Sequence, residues 1–155
     1  MTCPFCKAKC KTATGLSHHL ERGACPRMSM NRHKLYKYIK NRDPKGALTN
    51  KTLAWEGEKT YTINPRLAWN HWVKAYECYL CHKLYSSLQG LRMHLESPRH
   101  QQKLYHCMIP SCGRELTTLA ALINHHESEV CKLVRFQQVQ KVVERIVDPH
   151  MMISV

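Results

Sequence analysis

One interval occurs three times along this chain: twelve residues separate a cysteine from a histidine at Cys6 and His19, at Cys81 and His94, and at Cys112 and His125. A second cysteine stands just before each interval and a fourth donor follows after five more residues. The resulting sets are Cys3, Cys6, His19 and Cys25; Cys78, Cys81, His94 and His100; and Cys107, Cys112, His125 and Cys131. They use eight of the nine cysteines. Two cysteines on a tight knuckle and two donors on a following helix hold zinc tetrahedrally, with no coordination position left open. The spacing therefore predicts three Zn(2+) ions in closed sites that build structure and perform no chemistry.

Twelve residues are what a chain needs to turn, cross back and begin a helix. The apolar positions agree with a small ββα finger whose core is an aromatic before the first cysteine, a large apolar residue after the second and a leucine ahead of the first histidine. These are Tyr76, Tyr85 and Leu91 in the second cassette and Tyr105, Leu116 and Leu122 in the third. The first has Leu16, but Cys10 and Met1 stand where the other two apolar residues belong, so finger one is expected to be the least stable. Counting from the leucines selects His19 over His18 and His125 over His126, leaving His18 and His126 to face solvent. Cys10 reads as a small buried hydrophobe, and His33, His71, His82, His106 and His150 as ordinary surface or packing residues. The fold class expected is a small zinc-stabilised α+β chain of three ββα fingers, C2HC, C2H2 and C2HC, with a basic helical connector and a C-terminal helix.

A disulfide framework is the competing use of so many cysteines. Their odd number, the histidines at ligand positions and the lack of an apolar leader after Met1 argue against it. Zinc thiolates imply a reducing, intracellular compartment. No run is long enough to span a membrane. Each finger is too short to fold on burial alone, so metal loading and folding are expected to be one equilibrium.

The organisation expected is finger one at 1–26, a basic and aromatic connector at 27–74, finger two at 75–104, finger three at 105–132 and a C-terminal helix and tail at 133–155. In the connector, residues 28–41 read as a helix with Ser29 as its cap and Leu35, Tyr38 and Ile39 on one side. Trp55, Trp69 and Trp72 suggest an ordered element beside finger two. In the tail, Phe136, Val139, Val142, Val143, Ile146 and Val147 recur at helical spacing until Asp148 and Pro149 stop the helix. That stripe is expected to dock on finger three or on a partner protein.

Charge narrows the partner. Lys and Arg outnumber Asp and Glu 24 to 11, a formal +13, lowered to about +11 by two three-thiolate zinc sites. The excess is concentrated between Arg27 and Lys51, the electrostatic footprint of a polyanion; a solvated helix face is the plainer reading of such a stretch. The candidate nucleic-acid contacts are Arg32, Lys34, Lys37, Lys40 and Arg42, with Arg92 and Arg99 in finger two and Asn124 in finger three.

Base reading is another matter. Helix positions minus one, three and six, which meet bases in DNA-reading fingers, hold Thr12, Gly15 and His18; Ser87, Gly90 and Met93; and Thr118, Ala121 and Asn124. Only Asn124, and less strongly His18, has a side chain suited to a base edge. The segment between fingers two and three lacks the short linker of groove-following arrays. In finger two Pro98 falls between His94 and His100, so the helix must break before the fourth ligand.

Ser97-Pro-Arg-His100 followed by Gln101-Gln-Lys103 resembles the matrin-type and JAZ-type fingers of proteins that bind double-stranded RNA or spliceosomal components. That resemblance implies recognition by shape and 2′-hydroxyl contacts. The chain also resembles a family of fungal proteins with several C2H2-type fingers, through Ala68-Trp-Asn-His71, Tyr76-Glu-Cys-Tyr-Leu-Cys-His82, Tyr105-His-Cys107, residues 119–129 and Arg135-Phe-Gln-Gln-Val-Gln140. This second resemblance covers the chain from Trp55 onward well and implies zinc binding and a nuclear role. The sequence thus points to a nuclear zinc protein that binds nucleic acid, DNA or double-stranded RNA, with a protein-interaction adaptor using the C-terminal helix as the alternative. It is not expected to be an enzyme, because every metal site is filled and no nucleophile and base pair is legible.

Overall fold

Each ligand cassette enters its helix through a hydroxyl. Thr12 caps helix α1 (Ala13–Glu21) by accepting from the Gly15 amide at 3.1 Å. Ser87 caps α4 (Leu88–Glu96) through Gly90 at 3.1 Å, and Thr118 caps α5 (Leu119–Glu127) through Ala121 at 3.0 Å. An N-terminal cap of this kind satisfies an amide that the helix itself cannot. The computed structural model describes residues 1–50, 57, 59–131 and 135–148. Contacts divide the chain into two units, Met1–Ala54 with Lys103–Val155, and Trp55–Gln102.

In the first unit, finger one begins with a knuckle closed by a single Thr2–Lys9 bridge instead of a pair of strands, a departure from the expected ββα form. Helix α1 follows, and then α2 (Arg32–Arg42). The α2 cap is Asn31, which accepts from the Lys34 amide at 2.9 Å. The helix therefore starts later than residue 28, and Ser29 is not its cap; that hydroxyl lies 3.2 Å from Lys34 Nζ. Leu35, Tyr38 and Ile39 are buried as expected, and so are Tyr36 and Arg32.

Asp43 ends α2 and organises the return. Its carboxylate accepts from the amides of Ala47, Leu48 and Thr49 and from the Thr49 hydroxyl at 2.7–2.9 Å. Burial disfavours the charge, but these donors outweigh it and hold the Asp43 carboxyl below its ordinary range. The turn delivers Leu48–Asn50 alongside strand β4 (Tyr105–His106), where Thr49 bridges Tyr105. Strand β4 pairs antiparallel with β5 (Glu115–Leu116), Tyr105 opposite Leu116, and leads into α5. Helix α6 (Phe136–Ile146) then lies on α5, burying Val139, Val143 and, just past its end, Val147. This bears out docking of the tail on finger three; Pro149 and His150 lie outside the described residues.

The dominant contact of this unit is α1 against α5. Ala13 and Leu20 from one helix and Leu119, Ala120 and Ile123 from the other are buried. Finger one is thus paired with finger three.

In the second unit a short helix α3 (Pro65–Ala68), capped by Asn64, leads into a three-stranded sheet. Strand β1 (Trp69–Asn70) pairs with β2 (Ala75–Glu77), which pairs with β3 (Leu84–Tyr85), all antiparallel, and α4 follows. Cys78, Leu91 and Leu95 form the buried core, with Tyr61, Ile63, Tyr76 and Tyr85 around it. Helix α4 stops at Glu96, and Pro98–His100 turns as a separate 3₁₀ segment, the break predicted from Pro98. Of the three tryptophans, Trp69 packs edge-on to Tyr76. Trp72 is 96% exposed, contrary to its expected packing role, and Trp55 lies outside the described residues.

Candidate metal centres and the surfaces around them

All twelve predicted ligands come together in the three predicted sets, with the ligand atoms of each set within 4.8 Å of one another. Zinc about 2.3 Å from sulfur and about 2.0 Å from nitrogen requires ligand atoms roughly 3.3–3.8 Å apart in a tetrahedron. In finger one, Cys3 Sγ and Cys25 Sγ are 3.9 Å apart and Cys6 Sγ is 3.2 Å from His19 Nε2. In finger two, Cys81 Sγ is 3.3 Å from His94 Nε2 and Cys78 Sγ 3.5 Å from His100 Nε2. In finger three, Cys107 Sγ and Cys131 Sγ are 3.8 Å apart, Cys112 Sγ is 3.5 Å from His125 Nε2, and the closest pair is Cys131 Sγ and His125 Nε2 at 2.8 Å. The three Cys/His clusters fit three Zn(2+) ions, and in each the first cysteine is buried.

Crowding of the thiols is visible in their acidity. Burial pushes the Cys3 thiol up to about 11, and hydrogen bonding to Cys112 followed by burial pushes Cys131 up to about 12. Cys6 is lowered, chiefly by the Ala8 amide, and Cys112 by its hydrogen bonds to Cys131 and to the Arg114 amide. Cys81 is also lowered: burial opposes its charge, but the Lys83 amide, Cys78 and Arg99 prevail. Burial, reinforced by neighbouring cations, holds His94 and His125 below the ordinary histidine value, the direction that favours the neutral imidazole that ligation needs.

The knuckles share a feature the sequence only half displays. The residue after the second cysteine is left-handed in all three: Lys7 at φ 63°, His82 at φ 56° and Gly113 at φ 57°. This conformation lets the chain fold back so that the Cys3, Cys78 and Cys107 amides bond Ala8, Lys83 and Arg114 carbonyls at 2.8–2.9 Å. Only Gly113 announces it. His82 therefore has a defined place, and its Nδ1 lies 2.8 Å from the Glu77 carboxylate.

A second device joins fingers one and three. Glu21, the last residue of α1, accepts from the Leu119 and Ala120 amides at 2.7 and 3.0 Å. Glu127, the last residue of α5, accepts from the Ala13 and Thr14 amides at 2.9 and 3.4 Å and from the Thr14 hydroxyl at 2.5 Å. Each carboxylate closes the first turn of the other helix, where free amides and the helix dipole favour negative charge. Gln140 of α6 also donates to Glu127. Burial raises the pKa of Glu21, opposed by the two amides and by Arg32. The twelve-five spacing places Glu21 and Glu127 at equivalent positions, two past the ligand histidines, but nothing in the sequence pairs their helices.

The predicted nucleic-acid contacts divide. Arg32 is buried, and its Nε and Nη2 donate to the Thr117 carbonyl at 2.9 and 2.7 Å, so it fastens α2 to finger three and is not a surface cation. Lys34, Lys37 and Arg42 stand on the exposed side of α2, with Arg42 lying 3.8 Å over the Tyr38 ring. Lys40 is half-buried over Tyr36. Arg92 and Arg99 of finger two and Asn124 of finger three are exposed. Thr12, Ser87 and Thr118 are occupied as helix caps. Contrary to expectation His126 is buried, while His18 is exposed.

Residues 76–100 match the family model described as a zinc-finger of C2H2 type. No curated protein and no solved structure matches the chain. Finger two is accordingly a C2H2 finger, and the chain as a whole is a small α+β protein with three zinc-binding clusters. Among the described residues no helix is long and apolar enough to cross a membrane.

Proposed function

We propose that this is a nuclear, non-enzymatic zinc protein that binds nucleic acid duplexes through their backbone and does not read bases. The observation that carries this reading is the arrangement of charge on its helices. Helix α2 buries Leu35, Tyr38 and Ile39 while Lys34, Lys37 and Arg42 remain exposed, and finger two leaves Arg92 and Arg99 exposed. Capping by Thr12, Ser87 and Thr118 removes one base-reading position from each finger, and Gly15, Gly90 and Ala121 have no reach at the next. Contacts to phosphate and 2′-hydroxyl groups need no base-specific side chain, which favours structured RNA as the target. Four-ligand clusters leave no position for a catalytic water and support the non-enzymatic reading.

Titration of the zinc-loaded protein against matched duplex DNA, duplex RNA and single-stranded RNA at two salt concentrations tests this. The expected result is tightest binding to duplex RNA with a steep salt slope; Lys37→Gln and Arg92→Gln should each reduce the slope by about one. No measurable affinity for any of the three at low salt would refute it. An adaptor role is the second reading, favoured by the 96% exposure of Trp72, since tryptophan is a typical contact anchor on a surface. Val139 and Val143 of the tail stripe are internal and do not serve such a contact.

A further inference from the structure

The turn between β1 and β2 is held at its tip by one side chain. Asn70 Oδ1 accepts from the Trp72 and Val73 amides at 3.1 and 3.4 Å, while Asn70 Nδ2 donates to Glu77 Oε2 at 2.8 Å. The same asparagine therefore fixes both the turn and the Glu77 carboxylate, and Lys74 closes the turn with a left-handed φ of 49°. Trp69, at the base of the turn, packs against Tyr76, and His71 stands edge-on to Trp69 with ring centroids 6.4 Å apart. Trp72 alone is left almost wholly exposed. Beside it lies a shallow hollow of about 310 Å³, walled by Leu67, Ala68, Trp69, His71 and Trp72, with one carboxylate, Glu77.

This wall suits an occupant with a flat apolar body and a hydrogen-bond-donating edge. An apolar cavity of about 150 Å³ accepts benzene, so the hollow has room for a two-ring base, and a base stacks well on an exposed aromatic. Glu77 Oε2 is bonded by Asn70 and Oε1 lies 2.8 Å from His82 Nδ1, which leaves each oxygen a further lone pair. Guanine presents two adjacent donors, N1–H and N2–H, to match two carboxylate oxygens. Adenine and cytosine set an acceptor beside their amino group, and uracil has one donor between two acceptors, so each would turn a lone pair toward the carboxylate. Pairing hides this edge of guanine in a duplex, so the base must be unpaired. Arg66, beside Leu67, and Lys74, two past Trp72, are exposed cations suited to its phosphate. We propose that this hollow receives one unpaired guanine of a nucleic-acid strand, its ring stacked on Trp72, its pairing edge on the Glu77 carboxylate and its phosphate near Arg66 and Lys74. The strand as source of the base rests on the nucleic-acid reading above, whose duplex contacts on α2 and α4 stay as they are.

The test titrates the full zinc-loaded chain with duplex RNAs that are blunt or carry one unpaired 3′ nucleotide, and with guanosine 5′-monophosphate, following the Trp72 indole N–H resonance. An unpaired guanine should tighten binding about tenfold over the blunt duplex and shift that resonance, whereas adenine, cytosine and uracil should each gain less than about threefold. Trp72→Ala should remove the guanine gain. Glu77→Gln, whose amide sets one donor beside one acceptor, should move the preference to adenine. Both variants should retain three zinc ions. Blunt-duplex binding with no added gain from guanine would overturn the site and leave the backbone reading intact. Equal gains from all four bases would overturn the assignment of guanine to Glu77. A Trp72 shift from the mononucleotide without binding of any RNA would refute the backbone reading and the strand as source, leaving a free guanine nucleotide as the ligand. A resonance unmoved by every nucleotide would overturn the site and leave Trp72 to a protein contact.

Discussion

At the residue scale, the zinc centres depend on a backbone conformation as much as on their ligands. Lys7, His82 and Gly113 hold the same left-handed turn, which costs an ordinary residue about 1–2 kcal/mol and glycine almost nothing. A Cβ on Gly113 would meet no atom within 4 Å, so Gly113→Ala isolates the backbone term. It should weaken zinc binding at finger three by about 1 kcal/mol, roughly fivefold, in a chelator competition, because binding and folding are one equilibrium. Lys7→Gly should strengthen finger one by about half that amount, the gain being reduced by a more flexible unfolded chain. Adjacent histidines separate just as sharply: His19→Ala should lose one zinc ion, whereas His18→Ala, at an exposed position, should retain all three. Arg32 and Lys37 make a corresponding pair. Arg32→Ala leaves the Thr117 carbonyl without its donors and should destabilise the first unit by about 1.5–3 kcal/mol, while Lys37→Ala should leave its stability within about 0.5 kcal/mol.

At the element scale, the α1–α5 pair explains how a finger with a deficient core is held. Finger one has one knuckle bridge and Cys10 in place of a large apolar residue, yet Leu16 and Leu20 are buried because a second helix covers them and their neighbours. The crossed carboxylates of Glu21 and Glu127 set the pairing. Glu21→Ala removes two charge-assisted bonds from a buried carboxylate and should cost about 2–4 kcal/mol in denaturant unfolding of the zinc-loaded chain. Burial disfavours the Glu21 charge, so Glu21→Gln, which keeps an acceptor, should cost less than Glu21→Ala. Glu127 is half-buried, and Glu127→Ala should cost about 1–2 kcal/mol. Helix α6 adds Val139, Val143 and Val147 to the same core; Val143→Asp should detach it, seen as loss of amide protection over residues 136–146.

At the scale of the whole molecule, the two units should respond differently to dissection. A fragment of residues 55–102 carries its own ligands and core and should fold with one zinc ion. A fragment of residues 1–26 exposes the α1 face that α5 covers in the intact chain, and its zinc affinity should fall at least tenfold in a metal titration. Full chelation should unfold the second unit, whose buried core is only Cys78, Leu91 and Leu95. The local half of this architecture was legible from the amino acids. A ligand set spans fewer than thirty residues, its spacing encodes the knuckle and helix that hold it, and Pro98 marks where the finger-two helix must stop. Those features depend on chain geometry close in sequence, so all twelve ligands, their zinc ions, the helix that follows each knuckle and the stripe of α6 could be read directly. What the fold alone decided lies between elements distant in sequence. The same amphipathic pattern on α1 or α5 could face solvent, a partner or another finger. The choice of each other, the burial of Arg32 and of His126, and the exposure of Trp72 follow from which apolar faces meet, an outcome of summed burial over the whole chain that no local spacing records.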